Sequence, residues 1–327
     1  MQKRSTRSEG VPKKGGGRVV LVTGGSGRLG RTLIKELLGR GYSVRALVQR
    51  KESLLSMPVG IVPFLGDVGN RKVLAGACDG AYAVFHLAAI VSEYREMMPK
   101  LMHVNVEGTA NVIDAASMKG VRKFIYTSTV DVYGHVRKDV LKEDSELRPA
   151  DKYGYSKMMA EKEIERYTDM DYTILRMAAM YGPGFEKSYL KVLRAIKDGK
   201  AYIIGDGANH LALVHVDDVV RALLLALENN DGKRRTFNIG DGIAYTQEQL
   251  FRISSELMGI EVPKRHISPL VVRLIAKKRG LDSDELRFLL SDRVLDVSKA
   301  KKELGFAARM KLRETSVDLI KQLNKVG

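Results

Sequence analysis

From Arg18 onward the apolar positions alternate between two rhythms. "RVVLVTGG" is a β-branched apolar run, as a parallel strand buried on both faces requires. "RTLIKELLGRG" follows with apolar residues at helical spacing and closes on glycine. "YSVRALVQR", "VPFLGDV", "AYAVFHLAA", "VRKFIYTSTV" and "DYTILRMA" predict five more strands, with helical stretches between most of them. Strands alternating with helices predict an α/β fold, a doubly wound parallel sheet (Rossmann fold) whose ligand lies beyond the strand carboxyl ends.

Between the first strand and the first helix stands Gly24-Gly25-Ser26-Gly27-Arg28-Leu29-Gly30. Strand, glycine turn and helix in that order are the context of a dinucleotide-binding fingerprint. The glycines permit a tight turn and close approach of the backbone to a pyrophosphate, which then faces the helix N-terminus. Gly24, Gly27, Arg28, Leu29 and Gly30 are therefore candidate cofactor ligands. NAD-specific sites place a carboxylate at the end of the second strand, where it bonds the adenosine ribose. Here that strand ends Val48-Gln49-Arg50-Lys51, with no acid until Glu52. Arg50, helped by Arg28, suits a 2′-phosphate, so NADP is the preferred cofactor. NAD stays possible if Gln49 bonds a ribose while Arg50 points to water. We expect the dinucleotide-binding domain over 18–181, with 214–240 returning to it. The smaller C-terminal substrate-binding region is expected from 182–213 and 241–327.

"DKYGYSK" at 151–157 raises a separate question. On a helix, residues four apart share a face, so Tyr153 meets Lys157 and Tyr155 does not. A phenol has a pKa near 10 and needs positive charge nearby before it can work as a neutral-pH acid/base. Thr129 lies at the end of the fifth strand, on the ligand side. A strand-end hydroxyl, a Tyr/Lys pair and a dinucleotide turn form one candidate site.

Composition changes the picture little. The chain has 327 residues and a formal charge of +16. Part of the excess lies in residues 1–17, a Lys-, Arg-, Ser- and Gly-rich segment expected to be a disordered tail. No nucleic-acid motif accompanies the basic residues, so nucleic-acid binding is not expected as the main function. The single Cys78 fits a reducing compartment, and the six scattered histidines give no metal signal. No apolar run reaches membrane length, so a cytoplasmic protein without a membrane span is expected.

Together "TGGSGRLG", "GDV", "HLAA", "NVEGTANV", "YTSTVDVYG", "YGYSK", "YGPG", "VHVDDV" and "FNIG" resemble, in order, an extended short-chain dehydrogenase/reductase of the NAD-dependent epimerase/dehydratase type. The resemblance implies Tyr153 as general acid/base, Lys157 lowering its pKa and binding the nicotinamide ribose, and Thr129 bonding the reacting oxygen. It implies that Asn105 supports this geometry and that Asp67, Val68, Leu87, Ala88 and Ala89 touch the cofactor. His86 would lie along the cofactor wall. It also implies a homodimer through helices near 100–118 and 153–167, with Met158, Met159 and Ile164 as seam candidates.

Departures from the family pattern bear on the reaction. Sugar dehydratases resemble one another in carrying Asp-Glu after the threonine, whereas Val130 follows Thr129 here. Leu211 stands where nucleotide-sugar epimerases usually place an arginine for the diphosphate, although His210 or Arg176 offers a substitute cation. The segment is closer to the hydroxysteroid-dehydrogenase and dihydroflavonol-reductase-like branch. Ile90, Val91, Tyr94, Met97, Met177 and Met180 are expected to give an apolar pocket. The expected function is hydride transfer between a nicotinamide cofactor and an apolar ketone, aldehyde or secondary alcohol. A nucleotide-sugar 4-epimerase and a non-catalytic dinucleotide-binding protein are the alternatives.

Overall fold

The computed structural model describes residues 16–91, 98–229, 233–279 and 288–325. The expected tail therefore lies almost wholly outside the described residues, as do Tyr94 and Met97. In chain order come β1 (Val19–Thr23), α1 (Arg28–Gly39), β2 (Ser43–Val48), β3 (Val62–Leu65), α2 (Arg71–Cys78) and β4 (Ala83–His86). Next are α3 (Met98–Leu101), α4 (Gly108–Met118), β5 (Lys123–Thr129), β6 (Val136–Leu141), α5 (Lys152–Glu165) and β7 (Asp171–Met177). A wider π-helical turn, Met102–Glu107, joins α3 to α4.

The remainder begins with β8 (Ala179–Tyr181), α6 (Glu186–Lys197), β9 (Ile203–Ile204), β10 (His210–Leu211), β11 (Leu213–His215) and α7 (Val216–Glu228). β12 (Arg235–Ile239), β13 (Tyr245–Thr246), α8 (Gln247–Met258), β14 (His266–Ile267) and α9 (Pro269–Arg279) follow. The chain closes with β15 (Asp292–Leu295), α10 (Ser298–Leu304) and α11 (Leu312–Lys325).

Seven parallel strands form the main sheet in the order β12-β7-β5-β4-β1-β2-β3. The six strands expected from the pattern are all in it, and β12 supplies the seventh. Strand order reverses between β1 and β4, which opens a crevice beyond their carboxyl ends. Leu33, Ile34 and Leu37 of α1 pack with Val219 and Leu223 of α7 on one face of the sheet. Leu74 of α2, Val112 and Ala116 of α4, and Ala160 and Ile164 of α5 cover the other. A smaller core joins Leu193 of α6, Leu250 of α8 and Leu319 of α11. β15 crosses back to pair with β6, which brings a late part of the chain beside the end of β5.

The structure corrects two of the three residues expected at a dimer seam. Ile164 is fully buried in the core under the sheet, and Met158 packs against Val130 and Tyr133 within the subunit. Met159 is half-buried beside the same cluster. Met158 and Ile164 are therefore core residues of the subunit rather than residues of a seam.

Candidate active site

The glycine turn and the loop after β4 both open into the crevice between β1 and β4. Gly24 has φ +66°, and a Cβ there would stand 2.7 Å from the Ala88 amide nitrogen, so any side chain would close the gap between the two loops. The N-cap of α1 is Gly27, which has no capping side chain, and no acid stands in the helix's first turn. Its first amides are thus left for an anion, as a bound pyrophosphate requires. These features fit a dinucleotide.

His86 is not on the cofactor wall. It is fully buried and linked at both ring nitrogens, 2.7 Å from Thr23 Oγ1 and 2.8 Å from Thr109 Oγ1. Burial, together with the charge of Lys157, lowers its pKa to about 3, so the ring is neutral. The network fixes its proton on Nε2. The Ala88 amide donates to Thr23 Oγ1, Thr23 donates to Nδ1, Nε2 donates to Thr109, and Thr109 donates to the Asn105 carbonyl. A continuous chain of hydrogen bonds runs from the cofactor loop to Asn105.

Other cofactor candidates lie around the same crevice. Leu87, Ala88 and Ala89 are half-buried, and Leu29 and Val68 are buried. Asp67 is exposed, and its Oδ1 accepts the Gly69 amide. Gln49 and Arg50 are exposed just past β2. Arg28 does not join them: it lines the substrate cleft, with its guanidinium 6.0 Å from the Phe185 ring. Arg31, which sequence reasoning did not single out, donates to Ser56 Oγ at 3.1 Å, on the turn that begins beside Arg50.

Helix α5 presents Tyr153 to the cleft and leaves Tyr155 39% exposed on another face. Gly154 makes this approach possible, because a Cβ there would stand 2.7 Å from the Asp131 carbonyl oxygen. Lys157 is 1% exposed, with Nζ 4.1 Å from the centre of the Tyr126 ring. Burial lowers its pKa to about 7, and the Glu161 carboxylate one turn away restores only part of the shift. Asn105 locks α5 to the loop after β4. Its Nδ2 donates to Ser156 Oγ at 2.9 Å and to the Ile90 carbonyl at 3.0 Å, while its Oδ1 accepts the Ile90 amide at 2.8 Å.

Tyr153 and Thr129 open into a cleft of about 420 Å³, the size of a small-molecule site. Val91, Met177 and Met180 line it as expected. Ile90 is half-buried and occupied with Asn105, and it is not among the lining residues. Leu211 is fully buried in the small core, so the structure does not bring it to the cleft. Arg176, a possible substitute cation, is locked to Glu161 at 2.7 Å inside the protein. His210 is held 3.0 Å from Asp292.

Among the cleft residues that sequence reasoning did not single out, Asp131, His135 and Arg293 bring acid, imidazole and guanidinium groups. Thr129 donates to Asp131 Oδ2 at 2.9 Å, and Arg293 Nη1 donates to Asp131 Oδ1 at 2.8 Å. His135 Nε2 lies 2.9 Å from Asp151, whose other oxygen caps α5 through the Gly154 amide. Arg293 is remote in sequence and reaches the site only because β15 pairs with β6.

The NAD dependent epimerase/dehydratase family model matches residues 20–240. The chain is 27% identical to the 4-hydroxy-2-methyl-3-oxo-4-farnesyl-3,4-dihydroquinoline-1-oxide ketoreductase of Stigmatella aurantiaca, over 94% of this chain and 96% of that one. It is 29% identical to sterol demethylase protein B of Methylococcus capsulatus, over 87% and 92%. Among solved structures, MoeE5 in complex with UDP-glucose and NAD matches with a TM-score of 0.76 at 28% identity, covering 94% of this chain and 99% of that one.

If Tyr153 transfers the proton, Tyr153→Phe lowers kcat by about two to four orders of magnitude while Tyr155→Phe is mild. Equal impairment of the two variants would overturn the assignment.

Lys157→Met should abolish turnover yet raise the thermal unfolding midpoint at pH 7 by about 3 °C, since it removes a buried charge. The folded pKa of about 7 lies below the ordinary 10.5. Between those values the unfolded chain binds more protons, so wild-type stability climbs with pH. The penalty is full below about pH 7, and the gap between variant and wild type should shrink by pH 9.5. Circular-dichroism melts at both pH values check this.

Asp131→Asn and Arg293→Leu should each lower kcat about tenfold by releasing the Thr129 hydroxyl, and neither should matter further once Thr129 is alanine. Additive losses in the Thr129→Ala background would mean that the pair acts elsewhere.

Proposed function

Because the chain belongs to the NAD dependent epimerase/dehydratase family, among enzymes of the extended short-chain dehydrogenase/reductase type, we propose that it interconverts an apolar ketone or aldehyde and its alcohol. The observation that carries this reading is the cleft wall beside Tyr153 and Thr129, where Met177 is the register partner of Thr129. Met177, Ala178, Met180 and Leu213 make that wall hydrocarbon and thioether. Sequence similarity to a ketoreductase over nearly the whole chain supports the same class.

In the reductive direction Tyr153 gives its phenolic proton to the carbonyl oxygen while Thr129 turns its one hydroxyl proton from Asp131 Oδ2, where it rests, onto that oxygen. Lys157 holds positive charge beneath the phenol as its proton leaves, and its burial makes that charge strong in its effect. When bound, the reduced nicotinamide supplies the hydride that the carbonyl carbon receives. The glycine turn and the amides of α1 hold the pyrophosphate, with Leu87, Ala88 and Ala89 along the dinucleotide. Arg50 and Arg31 favour NADP, because each can bring a guanidinium toward a 2′-phosphate and no acid stands at the end of β2.

A second reading, a nucleotide-sugar 4-epimerase, has a specific observation in its favour. Arg28 and Arg293 bring two guanidinium groups to the cleft lining. Arg293 is neutralised by Asp131, which leaves Arg28 as the cation for a diphosphate.

A panel of hydrophobic ketones and UDP- or dTDP-sugars, followed by cofactor absorbance and by sugar analysis, separates the readings. Ketone turnover with kcat/KM several-fold higher for NADPH than for NADH is expected, and Arg50→Ala should erase that preference. Conversion of the sugars alone would establish the epimerase instead, and an NADH preference untouched by Arg50→Ala would refute the reading of the β2 end.

A further inference from the structure

Helix α9 is anchored at its start and apolar where it meets water. β14, just before it, pairs with β9 through His266 with Ile203 and Ile267 with Ile204. The helix then runs Pro269–Arg279, "PLVVRLIAKKR". Leu270 and Leu274 are 73% and 66% exposed, and Val271 and Ile275 are 45% and 40% exposed. The pairs 270/274 and 271/275 are one helical turn apart, so they form a single stripe. Large aliphatic side chains this exposed and this contiguous are rare on a free surface.

Charge says what covers the stripe. From Lys264 to Arg279 the sequence "KRHISPLVVRLIAKKR" holds six Lys and Arg and no Asp or Glu. Lys264, Arg265 and Arg273 are exposed, and among the described residues Lys264 is the one of them held by an acid, Glu261, at 3.3 Å. A second copy of this chain on that face would set cationic segment against cationic segment. An anionic lipid surface offers the complement to both properties: headgroup charge for the cations and acyl chains for the aliphatic stripe.

We propose that α9 is a membrane-docking element that seats the protein on the surface of an anionic bilayer. The helix has 11 residues and lies in the interface without crossing it. Indeed no helix among the described residues is long and apolar enough to span a membrane. Phe288, the first described residue beyond the helix, lines the cleft, so the docking element and the substrate site are neighbours along the chain. The docking inference does not rest on the proposed reaction and needs no substrate to be tested.

The experiment is co-sedimentation of the full chain with phosphatidylglycerol-containing vesicles and with pure phosphatidylcholine vesicles, at low and high salt. Wild type should bind the anionic vesicles about tenfold or more tightly than the neutral ones, and high salt should weaken that binding. A Leu270→Glu/Leu274→Glu double variant should lose the binding while keeping its thermal midpoint, since both positions are exposed; a chain lacking residues 1–17 should still bind. Three results would overturn the proposal. Wild type binds neither vesicle; the double variant binds like wild type; or removal of 1–17 alone abolishes binding, which would give the role to the basic tail. Light scattering of the double variant adds a fourth: loss of a dimer with no change on vesicles makes the stripe a self-interface.

Discussion

Glu161 sits one turn below Lys157 on α5, 1% exposed, and a carboxylate so placed has to be met from every side. Ser128 on β5 donates to it, and Arg176 on β7 grips it through Nε and Nη2. Ser128 and Arg176 are register partners across the two strands, so one carboxylate ties α5 to both. Arg176 extends the network to the Tyr133 hydroxyl and the Glu143 carbonyl, and Tyr133 passes it on to Asn238 of β12. Breaking such a pair by removing one partner costs about 3–5 kcal/mol, because the other charge stays buried alone. The rotation of α5 about its axis is fixed by this lock. With the helix held, Lys157 faces inward, Tyr153 faces the cleft, and Tyr155 faces water.

The buried carboxylate also makes the lysine tolerable. An ammonium inside protein is driven toward its neutral form, and a carboxylate one turn away opposes that drive without cancelling it. The result is a group that can gain or lose its charge near neutrality. Asn105 and the neutral His86 do a different job. They carry no charge, yet together they fix where α5, the loop after β4 and β1 stand relative to one another. Asn105 and His86 thus position without tuning charge, whereas Glu161 does both.

How much of this was legible in the sequence depends on chain distance. The strands of the sheet and the glycine turn follow from local periodicity, and helical spacing also puts Tyr153 and Lys157 one turn apart on α5. The Asn105 contacts could be expected only through family resemblance. Asp131, His135 and Arg293 were not legible. Arg293 comes from β15, and no local pattern says that β15 lies beside β6. His86 was misplaced for a related reason: its neighbours, Thr23 and Thr109, come from another strand and a helix. Met158 and Ile164 were misjudged as exposed because the buried face of α5 carries Ser156, Lys157 and Glu161, so polarity gives the wrong orientation for that helix. Leu211 stands at the motif position where relatives place an arginine, and the core claims its side chain.

The cleft carries charge without offering much of it. Asp131 and Arg293 neutralise each other, and their hydrogen bonds point toward Thr129 and the Gly134 carbonyl rather than outward. A buried ion pair is a poor source of binding energy for a ligand, since any ligand group must replace a partner that already fits. Its geometry does other work: it holds the threonine hydroxyl from two residues away. The thioether and aliphatic lining beside it then decides what enters, and methionine chains adjust to irregular apolar outlines at little cost. Selection by shape and desolvation along the apolar lining, with chemistry held rigid beside it, suits a substrate whose one polar feature is the oxygen that reacts.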